Sequence, residues 1–132
     1  MKAIDTNVLV RFLVDDDPAQ AQVVRKRFRA AEEQREMLFV PLLVVVEAIW
    51  VLDSAYEIRR DEIIAVLSDL LLLPILEFEN RVALQSVLSS APHNRFDLPD
   101  LLIAETAHAA GCRSVLTFDK RAAGSESFEL MD

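Results

Sequence analysis

The sequence predicts an α/β fold with a mainly parallel sheet. Short apolar runs alternate with longer segments whose apolar residues recur at helical spacing. Prolines and side-chain caps punctuate the segment ends. Only two glycines occur among 132 residues, which disfavours a fold built from many tight turns.

KAID (2–5) is the first strand, and Asp5 and Asn7 come at its end. VLVRFLV (8–14) is one short helix. DDDPAQAQ marks a break and a new start. There Asp17 suits an N-cap, Pro18 the first helical position, and Gln20 completes a capping-box pattern. Val24, Phe28 and Ala31 give that helix its apolar stripe. MLFV (37–40) is the second strand. Pro41 then opens LLVVVEAIWVL, apolar at ten of eleven positions. Its Val and Ile residues favour strands, but the entrance proline and the length favour a helix, and the run is too short to span a bilayer. Ile58, Ile63, Ile64, Leu67, Leu70 and Leu71 mark a further amphipathic helix stopped by Pro74. ILEF (75–78) is the third strand, and Val82, Leu84, Val87 and Leu88 lie on the next helix, closed by Pro92. In HNRFDLPDLLIAETAHAAG, Asp97 stands at an N-cap and Gly111 just past a helix end. RSVLTFD (113–119) and SFEL (127–130) supply the last two strands.

At 132 residues a single domain over 1–132 is expected, and 52% hydrophobic residues argue against disorder. The lone Cys112 excludes an intrachain disulfide and a Cys-rich zinc site, and two histidines, His93 and His108, are too few for a His cage. His108 is expected on a helix surface and Cys112 in a small buried niche. MKAID carries no apolar signal core, so a cytoplasmic protein is expected. A net charge of −8 and a pI near 4.7 oppose generic attraction to phosphate backbones unless positive charge is local or a divalent cation offsets the acids.

Attention therefore falls on the acids. Asp5 alone is explained by turn and cap preferences. Glu47 is the sole charge inside its apolar run, so burial would demand a partner, for which Arg11 is a candidate. Asp100 sits in a first helical turn, where the dipole favours it. Asp119 ends a strand as Asp5 does. Ligands of parallel α/β sheets bind outside the carboxyl ends of strands. Asp5 and Asp119 meet there if their strands are neighbours, and Asp97 and Asp100 reach the same edge from a helix start. Two like charges at ~4 Å repel by about 4 kcal/mol at an effective dielectric of ~20. A hard cation would make sense of such a cluster.

DTNVLVR, Glu47 within VVEAIWVL, DLPDLLIAETA and LTFDKRA, in that order, resemble PIN-domain ribonucleases, and within them the VapC toxins of toxin–antitoxin pairs. The resemblance covers nearly the whole chain. It implies a three-layer α/β/α fold with a central, mainly parallel sheet of four to five short strands. It also implies cleavage of single-stranded or loop RNA with Mg2+ or Mn2+. On the family pattern Asp5, Glu47, Asp100 and Asp119 fall on the acidic, metal-binding positions and Asp97 on a more variable acidic one. Asn7 and Thr117 fall on polar positions that steady the site. A small VapB-like antitoxin, a homodimer and an RNA substrate are the implied partners, with no membrane. RKRFR (25–29), helped by Arg11, Lys120 and Arg121, is either a solvated face or a contact for RNA or a partner; within it Arg25, Lys26, Arg27 and Arg29 carry the charge. Two rivals stand beside this reading. A phosphatase of the haloacid-dehalogenase kind wants Asp-x-Asp after its first strand, where this chain has Asp5-Thr6-Asn7, and a receiver domain wants an acidic pair that is absent. A non-catalytic interaction module with the same fold is opposed by the intact acids.

Overall fold

Six α-helices and five short strands, every strand pair parallel, make up the chain in a computed structural model that describes all residues from Met1 to Asp132. The chain divides into two units, Met1–Glu79 and Asn80–Asp132. The strands are as many as the sequence leads one to expect, and they form two small sheets, one of three strands and one of two.

The first unit runs β1 (Lys2–Ala3), α1 (Thr6–Leu13), α2 (Pro18–Gln34), β2 (Leu38–Val40), α3 (Leu42–Ser54), α4 (Arg60–Leu71) and β3 (Leu76–Phe78). Its sheet has the order β1-β2-β3, with Lys2 opposite Leu38 and Leu38 opposite Leu76. Two helices cross over between each pair of strands, as parallel pairing requires. Leu38 and Val40 are buried on either side of half-buried Phe39; Leu76 and Phe78 are buried on either side of exposed Glu77. Leu9, Val45, Leu52, Leu67 and Leu70 complete the core from the helices.

The helix ends follow the predicted chemistry in part, and α1 begins at Thr6, two residues before the predicted start. Asp17 caps α2 by accepting from the Gln20 amide at 3.1 Å. The reciprocal half of the capping box is not made, because Gln20 Oε1 accepts from Arg11 Nε at 2.7 Å. Pro41 offers α3 no side-chain cap; instead Glu79 Oε1 accepts from the Leu42 amide at 2.8 Å, satisfying one of the open donors of the first turn. Ile58 lies outside α4, its amide donating to the Leu52 carbonyl at 2.9 Å. With glycine scarce, Arg35, Glu57 and Asn80 adopt the left-handed conformation at φ of 54°, 52° and 53°.

The second unit runs α5 (Arg81–Ser90), a 3-10 turn (Ala91–His93), α6 (Leu98–Ala109), β4 (Val115–Thr117), a second 3-10 turn (Ala122–Gly124) and β5 (Phe128–Leu130). β4 and β5 pair in parallel with Val115 opposite Phe128. Leu84, Val87, Leu88, Leu98 and Leu102 form the core, and Val82 faces solvent. Gly111 ends α6 at φ 93°, the left-handed position predicted for it, and the Cys112 amide reaches back to the Ala107 carbonyl at 2.9 Å. His108 is exposed as expected. Cys112 is exposed too, contrary to expectation, because the chain leaves the helix there rather than turning inward. No helix is long and apolar enough to cross a membrane.

Candidate active site

In the first unit, β1 and β2 are parallel neighbours, so the segments that leave their carboxyl ends start from one edge of the sheet. Asp5 follows β1 and caps α1, its Oδ1 accepting from the Thr6 amide at 2.7 Å. The turn-and-cap role open to Asp5 on sequence grounds is therefore filled, and it occupies one carboxylate oxygen. Asn7 is exposed one residue further on. Glu47 lies on α3, which packs against α1. Its Oε2 accepts from Thr6 Oγ1 at 3.1 Å.

Thr6 thus bonds both carboxylates, Asp5 through its amide and Glu47 through its hydroxyl. At 7% exposure it is the one polar residue within the buried set. Sequence reasoning passed over it, although it is the middle residue of the quoted Asp-Thr-Asn; a β-branched hydroxyl at a first helical position beside an acid was the available signal. Glu47 itself is exposed, which corrects the expectation of a buried carboxylate. Arg11 is not its partner. The guanidinium bonds Gln20, Asp16 at 3.3 Å and the Tyr56 hydroxyl at 3.1 Å.

In the second unit, Asp97 occupies the N-cap position of α6 but makes no side-chain capping bond. Asp100 lies half-buried in the first turn. Its carboxyl is pushed above the ordinary carboxylate range, first by desolvation, then by the charges of Asp97 and Asp119. The helix dipole pulls the other way, typically by under ~1 kcal/mol, and burial with two like charges outweighs it. Asp119 follows β4. Its Oδ1 accepts from the amides of Arg121 at 2.9 Å and Ala122 at 3.4 Å, and its own amide donates to Thr117 Oγ1 at 3.0 Å. Thr117 therefore fixes the turn that presents Asp119. The strand pairing of Asp5 with Asp119 raised by the sequence occurs in neither sheet, since β1 pairs with β2 and β4 with β5.

The basic residues are partly engaged. Arg25 pairs with Asp15 at 3.7 Å, Arg27 with Glu36 at 2.7 Å, and Arg121 donates to the Arg95 carbonyl at 3.2 Å. Lys26, Arg29 and Lys120 are exposed. The candidate donors are all oxygens, which suits Mg2+ or Mn2+ and excludes a soft-metal site. No group of three or more His, Cys, Asp or Glu side chains stands ready to hold a metal ion. Mg2+ tolerates that arrangement, because it commonly takes one or two carboxylates and keeps several waters.

The PIN domain family matches residues 2–124, a span that contains Asp5, Glu47, Asp97, Asp100 and Asp119. A protein of Aquifex aeolicus (strain VF5) named VapC ribonuclease is 25% identical over 121 residues, covering 92% of this chain and 89% of that protein. Six helices with parallel strands suit the three-layer α/β/α class of such a domain. On the length of the match and the order of its acids, the chain belongs to the PIN domain family.

Proposed function

We propose that this protein is a Mg2+-dependent endoribonuclease, able to use Mn2+, and the toxin of a VapBC-type toxin–antitoxin pair acting in the cytoplasm on single-stranded or loop RNA. One observation carries the reading. The buried Thr6 holds two carboxylates, Asp5 through its amide and Glu47 through its hydroxyl, and the Asp100 carboxyl is raised by burial and by the charges of Asp97 and Asp119. Within a PIN domain similar to a protein named VapC ribonuclease, a cation is the natural counter-charge. The family match runs through both units, which supports treating 1–132 as one nuclease domain.

Asp5, Glu47, Asp100 and Asp119 are the proposed ligands of the metal, as one ion or two. When bound, it supplies Lewis-acid polarisation of the scissile phosphate and a lowered pKa for a coordinated water. The chain's own residues do the rest. Thr6 holds the Glu47 carboxylate and, through its amide, one oxygen of Asp5, so both acids are oriented before substrate arrives. The Arg121 and Ala122 amides fix Asp119 Oδ1, so Asp119 would be held in one orientation to bind the metal or to take a proton from the attacking water. Asn7, Asp97 and Thr117 support the acids beside them. Arg25 and Arg27 are already paired, so Lys26, Arg29 and Lys120 are the better candidates for RNA phosphates. A VapB-like antitoxin and a second copy of the chain are the proposed protein partners.

The test is incubation of the purified protein with total RNA in Mg2+, Mn2+ or EDTA, followed by mapping of the cut ends. Defined cuts are expected with either cation and none in EDTA. Asp5→Asn and Asp100→Asn should abolish cutting while the fold is retained. A wild-type protein that stays inert with both cations would favour a non-catalytic PIN module. Growth arrest on expression, relieved by the antitoxin and absent with Asp100→Asn at equal soluble level, tests the toxin role.

A further inference from the structure

Trp50 is the only tryptophan of the chain, and it is 67% exposed. It lies on α3, whose buried face carries Val44, Val45, Ala48, Ile49 and Leu52. The opposite face presents Leu43, Glu47 and Trp50. At ~100° per residue, these three fall within a sector of about 60°, and Trp50 stands about 4.5 Å along the axis from Glu47. Leu43, also 67% exposed, stands one turn to the other side. A candidate catalytic carboxylate is therefore bracketed by two bare apolar side chains.

An exposed indole calls for an occupant. A second copy of the chain seated on Leu43 and Trp50 would also cover Glu47, whose only hydrogen-bond donor is the Thr6 hydroxyl, and burying a carboxylate so poorly paired is strongly unfavourable. A nucleobase differs, because it stacks its face on the indole and leaves its sugar and phosphates in water. The charge balance points the same way. With a net charge of −8, the chain lacks the broad positive field that draws RNA to basic proteins, so contacts that do not depend on charge must add to the few local cations. Aromatic stacking is such a contact, and it tolerates any base.

We infer that Trp50 is a stacking platform for an unpaired base of the RNA, placing the adjoining backbone beside Glu47. This rests on the nuclease reading, and it adds a substrate-positioning residue to it. Stacking on one aromatic is worth roughly 5- to 100-fold in affinity.

The single tryptophan permits a direct readout. Short oligo(A) and oligo(U), added in EDTA so that nothing is cut, should quench the fluorescence of Trp50. Inorganic polyphosphate, which has the charge and no base, should not. Trp50→Ala should raise KM for RNA cleavage about 5- to 100-fold with a much smaller change in kcat, and Trp50→Phe should retain most of the affinity. Leu72→Ala, at another exposed apolar position, serves as the control and should behave as wild type. If wild type cleaves RNA, yet oligonucleotides leave the fluorescence unchanged and Trp50→Ala cleaves with an unaltered KM, the inference is wrong and the nuclease reading stands. If oligonucleotides quench but no condition yields cleavage, the nuclease reading fails and the stacking site remains. Light scattering that shows a wild-type dimer and a monomeric Trp50→Phe would assign this face to self-association and overturn the proposal.

Discussion

Replacing Thr6 with valine keeps the shape and β-branching of the side chain and deletes one hydroxyl. The hydroxyl's partner is Glu47 Oε2 at 3.1 Å, and Thr6 is 7% exposed. A hydrogen bond to a charged group typically contributes ~1.5–3 kcal/mol. Glu47 is exposed, so water replaces the lost donor at the carboxylate, and the lower end applies. Valine also removes a hydroxyl from apolar surroundings, which offsets part of the loss. The expected net destabilisation is about 1 kcal/mol, or roughly 3–5 °C in melting temperature for a domain of this length. Glu47→Ala leaves the Thr6 hydroxyl buried without its acceptor and should destabilise by a similar ~1 kcal/mol. The double variant should lose less than the two single losses combined, with a coupling of about 0.5–1.5 kcal/mol. Thermal melts of the four proteins in EDTA at neutral pH complete the cycle. RNA cleavage by Thr6→Val should fall as well, since Glu47 is no longer held. Additive effects within about 0.3 kcal/mol would refute the coupling and with it the idea that Thr6 orients the acid.

Asp100 supplies a pH prediction. Its folded-state pKa is raised, so it contributes stability at low pH that is lost as pH rises through the folded pKa; metal-free melts of Asp100→Asn should show a flatter decline toward neutral pH than wild type, with the variant the more stable at pH 7. Glu36 runs the other way, because its bond from Arg27 lowers its pKa: stability is present above the unfolded pKa and lost as pH falls through the folded one, so Arg27→Gln should lower the melting temperature slightly at neutral pH, less at high salt, and not at all in acid. Changing Lys26 and Arg29 together to Gln should reduce the slope of log affinity for single-stranded RNA against log salt by about 1.4 if both touch phosphates, and leave it unchanged if they form a solvated face. Mg2+ should raise the wild-type melting temperature as its concentration exceeds Kd and raise that of Asp119→Asn much less.

The boundaries of α2, α3 and α6 were legible because their chemistry is local. Asp17 before Pro18, Pro41 before the long apolar run and Gly111 after α6 each act within one turn of chain. The strands are three residues or fewer, too short to show an alternating pattern, so their grouping into two sheets could not be read from spacing. Glu47 was misjudged for a related reason. Leu43 and Trp50 are apolar residues on an exposed face, so they erased the periodicity that would have shown one side of α3 to be open. Thr6 was overlooked because its partner lies 41 residues away, a distance over which a sequence carries no geometric signal.

The excess of acid over base takes on a physical sense once the basic side chains are followed to their partners. Arg11 is held by Asp16, Arg25 by Asp15 and Arg27 by Glu36, three cations spent on the protein's own carboxylates. Such pairs contribute little to stability at the surface, ~0–1 kcal/mol each, but they remove positive charge from any field that RNA would sense. The candidate acids are treated differently. Glu47 and Asp5 take their hydrogen bonds from Thr6, and Asp119 from backbone amides, so these three are oriented by neutral donors and not by basic side chains. Metal held by either set of acids would then supply positive field that the surface lacks, and would supply it at the acids alone. Binding of RNA that depends on the cation at low salt, with little binding in EDTA beyond what stacking on Trp50 provides, is the behaviour this distribution of charge requires. An Asp5→Asn, Asp100→Asn double variant that binds RNA as tightly in EDTA as wild type does in Mg2+ would mean that the surface, and not the ion, draws the substrate.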